Sequence, residues 1–477
     1  MLQPTDAPPR MTQARTKIVC TIGPASAGRD VLRSLIDAGL DVARINFSHG
    51  TYEEHSRTVA TIRSLAEELK RPVAILGDLQ GPRIRIGDLS TPRTVADGTE
   101  LIFAHEPHAV AGDVPVTYDS LAQDVKVGGR ILVDDGLLEF EVLSVSGHRV
   151  TVRTIHGGPI KSHKGMNLPG IDVSAPSLTE KDRADIDFAI QHDLDYLALS
   201  FVRKADDIRA LKALLPNGML VVAKIEKESA LRRLEEILQA SDAVMVARGD
   251  LGVELPFEEV PLAQKRIIGL ANRYGRPVIT ATQMLESMIE HPRPTRAEAN
   301  DVANAVLDGT DAVMLSAETA SGAYPRLAVE AMRRIVIAAE TLPVARGIGI
   351  DRLEPGTAST EETIASASVT AVRLLGAPSV IVFTKSGFSA RVVAARRPVV
   401  PIVVLTDQAR TYRQLALVWG VVPFLVPHVD SYEQMAALAK QVLLAEGIAK
   451  PGDRVVVTAG VPFDVPGTTN NLKVETV

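Results

Sequence analysis

The chain has 477 residues, 46% of them hydrophobic, and a formal net charge of −6; such a length predicts more than one domain, and such a balance carries no polybasic signature for nucleic acid. Cys20 is the only cysteine, which excludes an internal disulfide and fits a reducing cytoplasm. No run approaches the roughly 18 consecutive apolar residues of a membrane-spanning helix, so no membrane partner is expected.

Met1 to Arg10 holds three prolines and no apolar core, so it is not a secretory signal, and residues 1–14 are expected to form a loose arm. Eight short apolar runs follow: Lys17–Gly23, Val42–Ser48, Ala74–Leu79, Tyr196–Val202, Leu220–Glu226, Ala243–Asp250, Val278–Met284 and Ala312–Thr319. Aromatics make up only 4%, so Val, Ile, Leu and Ala fill the core, as in parallel strands buried on both faces. Helical patterns separate the runs. Ser26 is expected to cap Asp30–Ala38, and Thr179-Glu180-Lys181-Asp182 resembles a capping box. Ser229–Leu238 and Arg296–Leu307 carry helical periodicity. Strand then helix, eight times over, predicts a (β/α)8 barrel over residues 1–86 and 172–343.

More than a hundred residues separate Leu79 from Tyr196. Residues 87–171 are rich in Gly, Val and Asp and alternate in short segments, which predicts a small β domain inserted after strand three as a lid. Turns are expected at Gly136, Gly147 and Gly157-Gly158. Residues 344–477 read as a C-terminal α/β domain. Its strands are expected at Val380–Thr384, Ile402–Thr406 and Val455–Thr458, its helices at Thr363–Leu375, Ser389–Ala395, Thr411–Trp419 and Tyr432–Ala445, and its linker at Ala345–Glu362.

Polar residues fall at the C-terminal ends of the barrel runs, where such barrels carry their active sites: Asn46, Ser48, Asp78, Lys224, Glu226, Asp250, Thr282 and Glu318. Period-two alternation points Lys224 and Glu226 the same way. If the next strand is a neighbour, Glu226 and Asp250 can share Mg²⁺ beside the Lys224 ammonium, a grouping suited to a moving phosphoryl group. Taken singly, such a pair is read first as an exposed ion pair of small worth. In the C-terminal domain, Thr384-Lys385-Ser386-Gly387 ahead of Ser389 offers hydroxyls, a lysine and a glycine at a helix start, an anion pocket.

Several long motifs resemble the pyruvate kinase family. They are Thr16–Pro24 (TKIVCTIGP), Ala43–Gly50 (ARINFSHG), Lys224-Ile225-Glu226, Ala247–Gly252 (ARGDLG), Thr280–Met288 (TATQMLESM), Pro292–Glu298 (PRPTRAE), Met314–Thr319 (MLSAET) and Gly467–Asn470 (GTTN). The insert matches mainly at Lys164–Gly170 (KGMNLPG). The resemblance implies phosphoryl transfer from phosphoenolpyruvate to ADP, giving pyruvate and ATP. It implies Lys224 against the phosphoryl group, with Glu226 and Asp250 on Mg²⁺ (or Mn²⁺). Backbone N–H groups at Gly249 and Asp250 would hold the substrate carboxylate, and Arg44 its phosphate. Arg85 and Lys204 would face the nucleotide. Thr282 would lie near the enolate, ordering a proton-donating water chain with Ser316 and Glu318, while His49 is a turn residue. A sugar-phosphate or nucleotide effector would bind Thr384, Lys385, Ser386, Gly387 and Ser389, and the assembly would be a homotetramer.

Asn46, Ser48, Asp78 and the Leu79 carbonyl match the family's K⁺ ligands. Many members read Thr-Lys-Gly-Pro-Glu where this chain reads Leu79-Gln80-Gly81-Pro82-Arg83. A guanidinium beside that site would replace the charge of K⁺, so no K⁺ requirement is expected. Two competing readings are another Mg²⁺-dependent barrel acting on phosphoenolpyruvate or pyruvate, and a non-catalytic sugar-phosphate sensor.

Overall fold

The computed structural model describes residues 14–174, 176–342, 358–460 and 469–477. The expected N-terminal arm, most of the Ala345–Glu362 linker and Gly467-Thr468 lie outside the described residues. Among these residues no helix is long and apolar enough to cross a membrane.

Eight parallel strands close a barrel: β1 Lys17–Thr21, β2 Val42–Asn46, β3 Ala74–Asp78, β4 Tyr196–Leu199, β5 Leu220–Ile225, β6 Ala243–Ala247, β7 Val278–Ala281 and β8 Ala312–Leu315. Period-two alternation sorts their side chains. Ile18, Cys20, Ala43, Ile45, Ile75 and Leu197 join the apolar shell shared with the helices, whereas Val19, Val42, Leu76, Tyr196, Val222, Met245 and Met314 fill the interior. The same alternation carries the interior rows upward to polar residues. Val19 leads to Thr21, Val42 to Arg44 and Asn46, Leu76 to Asp78, Ala198 to Ser200, and Val222 to Lys224 and Glu226. The interior of the barrel is therefore apolar along its lower rows and charged at its top.

All eight expected runs yield a strand, and several end early. The run to Asp250 stops at Ala247, where a helix, Arg248–Glu254, begins; the run to Thr319 stops at Leu315, before a turn of helix at Ala317–Ala320. The Thr179 capping box forms with Asp182. Ser26 does not cap its helix: Arg29–Ala38 starts after Gly28 with no side-chain cap, and Ser26 Oγ instead accepts from Gly23 N at 3.1 Å. Ser229–Leu238 is broken at Arg233 into two short helices, Glu228–Arg232 and Leu234–Ala240.

Between β3 and β4 the chain makes a six-stranded sheet, with strands at Glu100–His105, Val114–Val116, Arg130–Val133, Leu138–Ser146, Arg149–His156 and Met166–Asn167. It buries its own apolar cluster around Phe103 and Phe140, which meet edge to face at 5.1 Å. Gly136 and Gly147 turn with φ of 85° and 59°, as the turn reading requires.

The C-terminal sheet comprises β9 Val380–Phe383, β10 Ile402–Thr406, β11 Val421–Leu425, β12 Arg454–Ala459 and β13 Asn471–Thr476, in the order β11-β10-β9-β12-β13. Strands β11 and β13 were not expected. The region expected as one helix from Thr411 to Trp419 is a helix over Ala409–Gln414 and a 3-10 turn over Leu415–Leu417. That turn plugs the barrel: Ala416 and Leu417 join the interior cluster of the eight strands. Gln414 Nε2 donates to the Asp195 and Gly218 carbonyls at 3.1 and 2.6 Å, and Tyr196 Oη to the Gln414 carbonyl at 2.7 Å. The base is thus covered by the C-terminal domain.

Candidate active site

At the top of the barrel, β5 carries Lys224 near its end and Glu226 follows directly after it. Lys224 Nζ lies 2.8 Å from Glu226 Oε1, 2.8 Å from Ser200 Oγ and 3.3 Å from Asp78 Oδ1, in surroundings that leave the residue 9% exposed. Burial pulls the ammonium pKa down, but Asp78, Glu226 and Asp250 outweigh it and the net shift is upward, so Lys224 stays charged. Asp78 moves the other way. Burial raises it, the Lys224 and Arg44 charges outweigh burial, and its carboxyl is held below the usual range.

Arg44 reaches this cluster from β2. Its Nε donates to Asp78 Oδ2 at 2.7 Å and its Nη1 to Thr21 Oγ1 at 2.8 Å. Glu226 is fully buried, and Phe201 N donates to its Oε2 at 2.6 Å. Burial and the charge of Asp250 raise its pKa, against the pull of Lys224 and the Phe201 N–H. The repulsion that Asp250 exerts on the ionised Glu226 is what a divalent cation relieves. Among the described residues no group of three or more Asp, Glu, His or Cys is arranged to hold a metal. A pair suffices for Mg²⁺, which takes one or two carboxylates and completes its shell with substrate oxygens and water. The donor set fits.

Asp250 lies in the first turn of the Arg248–Glu254 helix beside Gly249. Gly249 N donates to Thr282 Oγ1 at 2.8 Å, and Thr282 Oγ1 donates to the Ala281 carbonyl at 2.6 Å. Phe201, Thr282 and Gln283 have φ of 54°, 69° and 53°. Left-handed backbone at three non-glycine residues beside one cluster is strain held in place by the surrounding fold, and such strain gathers at functional sites. Arg248 fixes the strained turn by donating to the Thr282 carbonyl at 2.6 Å while pairing with Asp301 at 2.7 Å. Glu318 accepts from Leu285 N at 3.1 Å and Ser316 N at 2.6 Å, and burial raises its pKa.

The residues expected to hold K⁺ are close in the fold. Asn46 pairs in register with Asp78, Asn46 Oδ1 accepts from Ser48 N at 3.1 Å, and the Leu79 carbonyl accepts from Ser200 Oγ at 2.7 Å. Asp78 Oδ1 is buried and faces the Lys224 ammonium at 3.3 Å. Arg83 is exposed, and its charge acts on Arg85, whose pKa burial and Arg83 both lower. The counter-charges of Asp78 are Lys224 and Arg44, and Arg83 is not among them.

Arg85 turns its Nη1 to the His163 carbonyl at 2.8 Å, and Lys204 is exposed at the start of the Ala205–Lys212 helix. His49 is exposed in the turn after β2, its N–H bonded to the Asn46 carbonyl at 3.2 Å. In the C-terminal domain, Gly387 N donates to Thr384 Oγ1 at 3.0 Å, Thr411 Oγ1 to the Lys385 carbonyl at 2.6 Å, and Arg391 Nη1 to the Ser386 carbonyl at 3.3 Å. Gly387 has φ of 75° and Ser389 Oγ sits 2.5 Å from Thr469 Oγ1.

Thr21, Ser200, Phe201 and Arg248 belong to the cluster and were not singled out from sequence. Thr21 and Ser200 fall in or just after their strands on the interior row, so the rule that exposed Asp78 and Lys224 would have found them. Phe201 acts through its backbone N–H, which no side-chain pattern announces.

A closed barrel with a charged cluster at that end, strained turns around it and a plugged base defines a barrel enzyme for an anionic substrate. Comparison with known proteins narrows the class. The family description "Pyruvate kinase, barrel domain" matches residues 13–329, and "Pyruvate kinase, alpha/beta domain" matches residues 362–475. A pyruvate kinase of Geobacillus stearothermophilus is 46% identical over 472 residues, covering 97% of this chain and 80% of the relative. One from Agrobacterium vitis is 45% identical, covering 96% and 98%. The crystal structure of a pyruvate kinase from Cryptosporidium parvum superposes with a TM-score of 0.91 at 35% identity, covering 98% of this chain and 96% of that one. The chain belongs to the pyruvate kinase family and is a phosphotransferase.

Proposed function

We propose that this chain transfers the phosphoryl group of phosphoenolpyruvate to ADP, giving pyruvate and ATP. The observation that carries the reading is the placement of Lys224 Nζ within 3.3 Å of Asp78, Glu226 and Ser200, buried and charged at the open end of the barrel. A moving phosphoryl group needs fixed positive charge more than covalent help. Lys224 supplies it, and the Asp78 and Glu226 carboxylates hold the ammonium in one place. Glu226 and Asp250 would hold Mg²⁺, or Mn²⁺ in its stead, which neutralises phosphate and enolate oxygens when bound. Arg44 offers its remaining donor face to the phosphate. The start of the Arg248–Glu254 helix presents N–H groups to the substrate carboxylate. Thr282 orders the proton that the enolate carbon receives, through water held by Ser316 and Glu318. Arg85 and Lys204 face the nucleotide phosphates.

The division into a barrel (1–86 and 172–343), a lid (87–171) and an effector domain (344–477) belongs to the same reading, as do a cytoplasmic location and a homotetramer. Thr384, Lys385, Ser386, Gly387 and Ser389 would take the phosphate of a sugar-phosphate or nucleotide effector; unchanged phosphoenolpyruvate saturation on titrating such ligands removes that part. Asn46, Ser48, Asp78 and Leu79 would accept a monovalent cation. The reaction is expected to proceed without added K⁺. Strong stimulation by K⁺ in a buffer free of Na⁺ and K⁺ overturns it.

The main test is ADP-dependent release of pyruvate from phosphoenolpyruvate by the purified chain with Mg²⁺. Release without ADP, or none at all, returns the protein to one of the competing readings.

A further inference from the structure

Beside the cluster of Lys224, Glu226 and Asp250 lies a second buried ion pair that the chemistry above does not use. Lys227 Nζ bonds Glu254 Oε1, with the two side chains 10% and 2% exposed. A buried pair costs desolvation on both sides and is weak evidence for stability. Its position is what informs. Lys227 directly follows Glu226 at the end of β5. Glu254 lies four residues past Asp250 on the same short helix, so the two acidic side chains share a helix face. The Lys227–Glu254 pair therefore ties together the same two elements that carry Glu226 and Asp250.

Two further contacts brace the pair. Phe201, held at a φ of 54°, donates its N–H to Glu226 Oε2 and sets its ring under Lys227 Nζ, 5.9 Å from the centroid. Asn167, in the last strand of the inserted domain, lies close enough for its side-chain amide to favour the ionised Glu254 carboxylate. Close by, Gly170 approaches Glu228 so that a Cβ there would meet its Oε2 at 3.7 Å. The insert thus comes against the barrel two residues from one metal-ligand candidate and one helical turn from the other.

We propose that Lys227 and Glu254 form a latch that fixes the spacing of Glu226 and Asp250, so that a divalent cation meets a preformed pair, and that Asn167 makes this spacing depend on the seating of the inserted domain. Lys227, Glu254 and Asn167 are positioning residues; they touch the metal site only through their neighbours. Partners that orient metal ligands in this indirect way are worth about 10–100-fold in metal affinity. The inference rests on the reading of Glu226 and Asp250 as metal ligands, and its test separates the two.

The probe is Mn²⁺ alone, with free ion counted by electron paramagnetic resonance against the full-length chain and no substrate present. The double variant Lys227→Met/Glu254→Gln removes both charges at similar volume and strands neither. It is expected to bind Mn²⁺ about tenfold more weakly, to need correspondingly more Mg²⁺ for half-maximal activity, and to keep most of kcat once Mg²⁺ saturates. A purely structural pair would shift the unfolding midpoint without that split. The exchange Lys227→Glu/Glu254→Lys is expected to recover part of the lost affinity, and Asn167→Ala to lose less than the double variant in the same direction. If Glu226→Gln and Asp250→Asn abolish Mn²⁺ binding while the folded double variant binds like the parent, the latch is overturned and the metal reading stands. If all of these variants bind like the parent, both fall. Should the double variant not fold, Asn167→Ala decides: unchanged affinity overturns the proposal.

Discussion

The two ends of the barrel both bury charge, and they do so in opposite styles. At the base, Arg397 is 2% exposed and donates to both Asp311 oxygens at 2.9 and 3.1 Å and to Asn272 Oδ1 at 2.9 Å, with its guanidinium 4.9 Å from the Trp419 ring. Nearby, Arg413 bonds Asp195 at 2.8 Å and Asp193 at 2.6 Å. At the top, by contrast, Glu226 is buried beside a second carboxylate, Asp250, whose charge adds to burial in raising its pKa. The base pairs its charges within the protein and serves as a joint between domains. The top sets the charge of one carboxylate against another, a repulsion that a bound cation relieves.

The largest expected effect tests the top. Lys224→Met removes the only ammonium among Asp78, Glu226 and Ser200 and is expected to lower kcat by about 10²–10³-fold, with a much smaller change in KM for phosphoenolpyruvate. Steady-state kinetics decides it; a rise in KM with kcat kept would make Lys224 a binding group and no more. The matching test of the base is Arg397→Met, which leaves Asp311 buried and unpaired. It is expected to cost about 3–5 kcal/mol of stability, read by urea unfolding, while kcat of the still-folded enzyme at low temperature falls far less than in Lys224→Met. A fall as deep as that of Lys224→Met would show that the two ends are not separable.

Within the base, Leu417→Ala is expected to have a smaller effect, about 2–3 kcal/mol, because the side chain fills the interior just where the strands begin. A loss no greater than that of an exposed leucine such as Leu262, 66% exposed, would mean that the plug contributes little to holding the domains together.

The difference between the ends also decides what could be read from the sequence. The top was legible because it is built by local periodicity: β5 sets Lys224 and Glu226 on one row, and closing the barrel in chain order does the rest. What local pattern does not fix is where a strand stops. The run ending at Asp250 has no breaker before Arg248, so helix and strand compete for it and tertiary packing decides. Strand β11 was hidden by Pro423 inside it, and β13 by its polar edge position, where neither face need be apolar. The base was not legible. Arg397 finds Asp311 across 86 residues and Arg413 finds Asp195 across 218, and such pairings exist only once one domain has docked on the other.

The finest test sets two neighbouring carboxylates of the top against each other by pH. Asp78 has its pKa lowered in the folded state, so it stabilises the fold above its unfolded pKa and gives that up as pH falls through the folded one. Glu226 has its pKa raised, so it opposes folding while ionised and is relieved as pH falls towards its folded value. A metal needs Glu226 ionised, so protons and Mg²⁺ compete for it. Mg²⁺ affinity is therefore expected to decline with acidification from above the ordinary carboxylate range, and more Mg²⁺ should push that acid limb to lower pH. Protonation of Asp78 would instead give a limb below the ordinary aspartate range, insensitive to Mg²⁺. Rates measured against pH at a low and a high Mg²⁺ concentration distinguish the two. A limb that stays fixed as Mg²⁺ rises removes Glu226 from the metal and leaves it a holder of Lys224 alone.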